Sequence, residues 1–176
     1  MFPYRQIFLL VRTFLSRAMA RRLASRGLDR IRNAARRLAP GDWSEPNRLP
    51  PMQGLTAPMR DWSAGMTLWH TRGANRGIMD TVIALARGNS PGPMDTRTFD
   101  APPAEAGPEQ LPLLEETVGA YLEALDRLPA LHTAARRRHP IFGTMDAHGW
   151  HCLFALHLRI HRRQLERIAD LRAARR

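Results

Sequence analysis

Lysine is absent from this chain and cysteine occurs once, at Cys152. A single thiol leaves no intrachain disulfide, zinc ribbon or thiol pair to build, which fits a reducing compartment. Long apolar runs are missing too. The longest near the start is Ile7–Val11, bracketed by Arg5 and Arg12. A membrane span needs roughly 20 residues and a signal-peptide core roughly 7–15, so the expected location is intracellular and cytoplasmic. Strand signals are almost absent, because no stretch alternates polar and apolar residues over several β-branched positions.

What is present is arginine. All 27 basic residues are Arg, against 16 acids, for a formal charge of +11. The bias toward Arg alone has the look of a GC-rich genome rather than of a selected binding surface. The charge is also lopsided: residues 1–40 hold 10 Arg and one acid, Asp29, for +9, whereas residues 41–176 carry only +2. Hydrophobic residues make up 44 % of 176, enough for one domain with one sizeable core.

Helical periodicity recurs along the chain. Between Gly107 and Leu128 the apolar positions Leu111, Leu114, Val118, Tyr121, Leu122, Leu125 and Leu128 follow three- and four-residue steps, with Glu115, Glu116 and Glu123 opposite. After Gly143 a stripe reads Trp150, Leu153, His157, Ile160, Gln164, Ile168 and Leu171, with Thr144 or Asp146 as its cap. Another helix starts at the N-cap Ser63 and runs to about Ala86, its inner stripe Met66, Trp69, His70, Gly73, Gly77, Thr81 and Leu85. Leu23–Leu38 forms a further helix, and residues 3–20 read as helical with Phe8, Val11, Phe14 or Leu15 and Met19 on one side. Pro-rich connections at 40–58 and 91–112 are long for a compact bundle. The expectation is an all-α fold: a four-helix bundle over 21–176 with an Arg-rich helical extension at 1–20.

The chemistry lies in histidines. His157 and His161 are four apart on one helix face, so both imidazoles leave the same side one turn apart, and that side is the apolar stripe. Such a pair is either two metal ligands or a structural pair hydrogen-bonded in the core. His70 sits on the stripe of another helix, followed by the small residues Gly73, Ala74 and Gly77. Glycine inside a helix costs roughly 1 kcal/mol relative to alanine, so two of them call for a close helix neighbour or for a cavity beside His70.

The segments Trp62-Ser63 … Trp69-His70, His139-Pro140-Ile141-Phe142-Gly143 and Trp150 … His157-x-x-x-His161-x-x-Gln164 resemble the DinB/YfiT-like superfamily over about residues 20–172. That resemblance implies a four-helix bundle with His70, His157 and His161 as ligands of a divalent metal. It also implies a thiol-dependent transferase, using a low-molecular-weight thiol, or a hydrolase, acting on a small-molecule substrate. Imidazole ligands suit Zn, Ni and Fe alike, so the metal is not chosen. A site of three histidines leaves an open coordination position, where water or a thiol is activated toward pKa ~7. Residues 1–20 fall outside the family pattern and are either an added function or an overcalled start.

The remaining candidates divide by their neighbours in the chain. Gln164 shares the face of His157 and His161, and either orients a ligand, contacts substrate or is a polar residue at the bundle end. His139, before a proline, is read as a turn residue, and His132, His148 and His151 as surface or rim residues. Cys152 is read as a small buried hydrophobe, and Asp80 is not assigned a role. No carboxylate falls on the histidine face, so no general base is evident and the catalytic residue is unassigned. The run Arg136, Arg137, Arg138 is either a solvated face or a contact for an acidic cosubstrate. A homodimer stays open. The alternative to an enzyme is a non-catalytic scaffold whose basic residues 1–40 touch an anionic membrane or nucleic acid, the apolar residues Phe8, Phe14 and Leu15 favouring the membrane.

Overall fold

The computed structural model describes residues 4–92 and 101–176. Its regular elements are α1 (Tyr4–Phe14), α2 (Arg17–Ala35), α3 (Ala64–Ala86), α4 (Gln110–Arg127), β1 (Arg137–His139), β2 (Gly143–Met145) and α5 (Ala147–Ala173). Helices α2 to α5 make the all-α four-helix bundle. Around it, α2 packs on α5, α5 on α3, α3 on α4 and α4 on α2, so α2 and α3, consecutive in sequence, stand diagonally. The long chain from 36 to 63 crosses that diagonal.

The crossing is tied down. Trp43 and Leu49 are buried, and Asn47 Nδ2 donates to the Trp62 carbonyl at 2.9 Å. Arg172, buried at the far end of α5, donates to the carbonyls of Glu45 and Pro46, each at 2.8 Å. The core of the bundle centres on Tyr121, Trp150 and Phe154, with Leu68, Leu114, Leu158, Leu165 and Ile168 fully enclosed around them. Among the described residues no helix is long and apolar enough to cross a membrane.

Local chemistry sets the helix starts. Ser63 Oγ accepts from the Met66 amide at 3.2 Å. Of the two residues that could cap α5, Asp146 does so, accepting from Gly149 N at 2.8 Å, while Thr144 lies in β2. The helix expected over 3–20 is broken: α1 stops at Phe14, and Ser16 caps α2 by accepting from Met19 N at 3.2 Å. The expected side holds in part: Phe8 and Leu15 face the core, whereas Phe14 and Met19 do not. Phe8 is buried against Phe142, ring centroids 4.5 Å apart, whereas Ile7, Leu10 and Phe14 are exposed.

Strand is not wholly absent. Residues 137–145 form an antiparallel hairpin pairing Arg137 with Met145, Arg138 with Thr144 and His139 with Gly143. Its strands are three residues each, too short to show alternation, and Gly143 closes the turn at φ +79°. Residues 93–100 of the 91–112 connection lie outside the described residues.

Candidate metal centre

Helices α3 and α5 pack along their length, and this contact brings His70 to His157 and His161. Ring centroids are 5.3 Å apart for His70–His157, 4.9 Å for His70–His161 and 4.5 Å for His157–His161. One ligating nitrogen from each lies within 4.8 Å of the other two, so the three could hold a metal ion. Trp62, from the crossing chain, lies against His70 with centroids 5.0 Å apart.

Two side-chain amides fix how the rings present themselves. His157 Nδ1 is 2.5 Å from Asn75 Oδ1, and His161 Nδ1 is 2.8 Å from Gln164 Oε1. Asn75 Nδ2 donates to the Phe154 carbonyl at 3.2 Å and Gln164 Nε2 to the Met59 carbonyl at 2.6 Å. With each NH₂ committed to a backbone carbonyl, each amide oxygen must face its histidine and accept Nδ1–H. The lone pair of both rings is thereby placed on Nε2, the tautomer a metal ligand needs, held by outer partners of the usual kind. The donor set thus fits a divalent ion.

Burial keeps the His157 and His161 imidazoles neutral. Desolvation first, then the neighbouring His161, His70 and His139, push the His157 pKa well below its ordinary value. Burial and His70 push His161 down to about 3 against an opposing Gln164 hydrogen bond. Neutral rings can bind a cation without first losing a proton.

The histidines line a cavity of about 1140 Å³ together with Trp69, Gly73, Gly77, Thr81, Arg137, His139, Phe142, Trp150 and Ile160. A Cβ built on Gly77 would meet nothing within 4 Å, so that glycine borders open space and not a neighbouring helix. The stripe His70–Gly73–Gly77–Thr81 read from the sequence is the cavity wall. The core face of α3 is rotated from it, through Leu68, Thr71, Asn75, Ile78 and Val82.

The other sequence candidates fall into varied surroundings. Gln164 is fully buried and bonded to His161. His139, read as a turn residue, ends β1, and its Nδ1 holds the following turn by accepting from the amides of Ile141 and Phe142 at 3.1 and 3.3 Å. Asp80 is exposed at the cavity edge. Cys152 is buried, its thiol 3.5 Å from His148 Nε2 and pushed up to about 12 by burial.

His148 and His151 are corrections. Both are buried, and only His132 is exposed. His151 joins Tyr121 Oη at 2.6 Å to the Arg17 carbonyl at 3.0 Å. The first turns of α5 are enclosed on every side, residues 147–155 all being buried, so a position opposite His157 on the wheel is not a surface position. The sequence reading missed Asn75 altogether. A buried Asn in mid-helix, away from any cap, was its one available signal.

Searches of curated proteins and of solved structures return no match. A family model described as the DinB superfamily matches residues 23–165, a stretch that contains all three histidines. The chain belongs to the DinB superfamily.

Proposed function

We propose that this protein is a metal-dependent enzyme acting on a small molecule, by thiol transfer or hydrolysis, with His70, His157 and His161 holding a divalent ion. The observation that carries the reading is the pair of amide locks, Asn75 and Gln164, which place the lone pair on Nε2 of two of three histidines whose ligating atoms lie within 4.8 Å of one another beside a large cavity. Bound there, the ion supplies Lewis acidity toward a water or a low-molecular-weight thiol near neutral pH. The chain's own residues do the rest. Neutral rings keep their lone pairs available, Trp62 packs on His70 while Trp69 lines the wall, and Gly73 and Gly77 leave room for substrate to approach.

The test is metal content by ICP-MS on tag-free protein beside His157→Ala. The reading expects near-stoichiometric Zn, Ni or Fe in the wild type and its loss in the variant. No metal in either, with thermal stability unchanged by added divalent ions, refutes it.

We propose as a second reading that α1 rests on an anionic membrane surface. Leu10 is 62 % and Phe14 73 % exposed, and with Ile7 they form one stripe. Exposed positions in the first half of α2 add Met19, Arg22 and Arg26, within a segment carrying +9 over residues 1–40. Apolar stripe and cations together suit an interfacial helix. The protein is expected to sediment with phosphatidylcholine vesicles containing phosphatidylglycerol and not with phosphatidylcholine alone, and Phe14→Asp to abolish this. Unchanged sedimentation of Phe14→Asp, or binding to duplex DNA in place of vesicles, refutes it.

A further inference from the structure

We propose that Arg137 is the recognition residue for an oxyanion, foremost a carboxylate, on the small molecule that enters the histidine cavity. The inference rests on the proposed metal-enzyme reading only for placing that molecule beside the histidines. The anion contact itself is a property of the protein chain.

Arg137 opens β1, and its backbone is fixed by pairing with Met145 and by Trp150 Nε1, which donates to its carbonyl at 3.4 Å. The side chain turns to the cavity. Its Nη1 donates to Thr81 Oγ1 at 3.0 Å, while the Thr81 hydroxyl donates to the Gly77 carbonyl at 2.8 Å. Thr81 is thus oriented by α3 and can only accept from the guanidinium. The guanidinium carbon sits 6.0 Å from the centroid of the Trp150 ring, which steadies the plane of the fork.

What the group lacks is an acid. Arg21, Arg30, Arg32, Arg37, Arg172 and Arg176 each reach a carboxylate. Arg137 reaches none among the described residues, although it is partly buried and burial lowers its pKa. Arg138, next in sequence, is exposed and keeps its hydration. A guanidinium has five N–H donors in a rigid fork, and the bond to Thr81 occupies one of them. The fork borders a cavity whose only acid among the described residues is the exposed Asp80 and whose walls include Trp69, Phe142, Leu153 and Ile160. A ligand with an apolar body and an oxyanion would cover those walls and close a bidentate pair with Arg137.

Calorimetric binding of phenylacetate, phenyl phosphate and phenylacetamide to chelated and to zinc-loaded protein tests this. Chelated wild type is expected to bind phenylacetate at least tenfold more tightly than the neutral amide. Arg137→Met is expected to lose that preference and Arg138→Met to keep it. Thr81→Val, which removes the acceptor that aims the fork, is expected to weaken the preference several-fold, and it serves where Arg137→Met does not fold. Tighter binding of phenyl phosphate than of phenylacetate supports the oxyanion site and assigns it to a phosphate ester. No anion preference in wild type, or an undiminished one in Arg137→Met, overturns the proposal. Because the chelated arm contains no metal, failure of the metal reading leaves this result standing, and failure here leaves the metal reading standing.

Discussion

Two glycines of α3 with the same helical backbone carry opposite constraints. At Gly65 a Cβ would lie 1.8 Å from the Ala106 carbonyl oxygen, and the Gly65 amide is already bonded to the Trp43 carbonyl at 2.9 Å. The helix start is therefore pressed between two loop segments, and no flexible side chain is there to yield. Gly65→Ala is expected to destabilise the fold by about 1–3 kcal/mol, the usual cost of overpacking. Gly77, which borders the cavity with nothing within 4 Å, carries only the backbone entropy cost of a helical glycine. Gly77→Ala is expected to raise stability by about 0.5–1 kcal/mol. Urea midpoints of the two variants should move in opposite directions. A fall for Gly77→Ala would mean that the cavity wall needs its bare backbone. Residue-scale reading of the sequence reached the three histidines and Gln164 because all lie in phase on two stripes. It missed Asn75, which is out of phase with the cavity wall and in phase with the core, where a polar residue reads as an exception rather than a partner.

At the scale of elements, capping chemistry was legible and environment was not. Ser63 announces a helix start by residue type alone, while for α5 residue type left Thr144 and Asp146 as candidates and the structure chooses Asp146. Ser16 does the same job but was hidden, because the apolar spacing from Phe8 to Met19 runs through the break as though one helix continued. The hairpin at 137–145 leaves no periodic trace in two strands of three residues. His151 shows the deeper reason for error. A helical wheel assumes one buried side, yet α5 packs on both α2 and α3, and its first third is enclosed all round. There His151 becomes a joint between elements. Arg17, whose carbonyl it contacts, also donates through its guanidinium to the carbonyls of Leu125, Leu128 and Pro129, a cation at the C-terminus of α4 where the helix dipole favours one. One residue pair thereby fastens the start of α2 to both α4 and α5.

For the molecule as a whole, enclosing histidines couples stability to pH. Burial pushes His139 and His151 each down to about 4; for His151, Arg17 and His148 add repulsion against a hydrogen bond to the Arg17 backbone that opposes the shift. The unfolded chain has no such burial and titrates near 6.5. Between pH 6.5 and 4 the unfolded state therefore binds more protons than the folded one, and stability must fall as pH falls through that window. Above 6.5 both states are neutral and the contribution is flat. A tenfold difference in proton affinity is worth about 1.4 kcal/mol, so each of these histidines removes about 2 kcal/mol by pH 5. His151→Gln retains a polar side chain toward Tyr121 but cannot titrate. Urea unfolding of wild type and variant at pH 7.5, 6 and 5 should show the wild type losing more stability, the excess growing toward pH 5 to about 2 kcal/mol. Parallel losses in the two proteins would place the acid sensitivity elsewhere, and would show that protonated His151 keeps its bonds to Tyr121 and Arg17 inside the bundle.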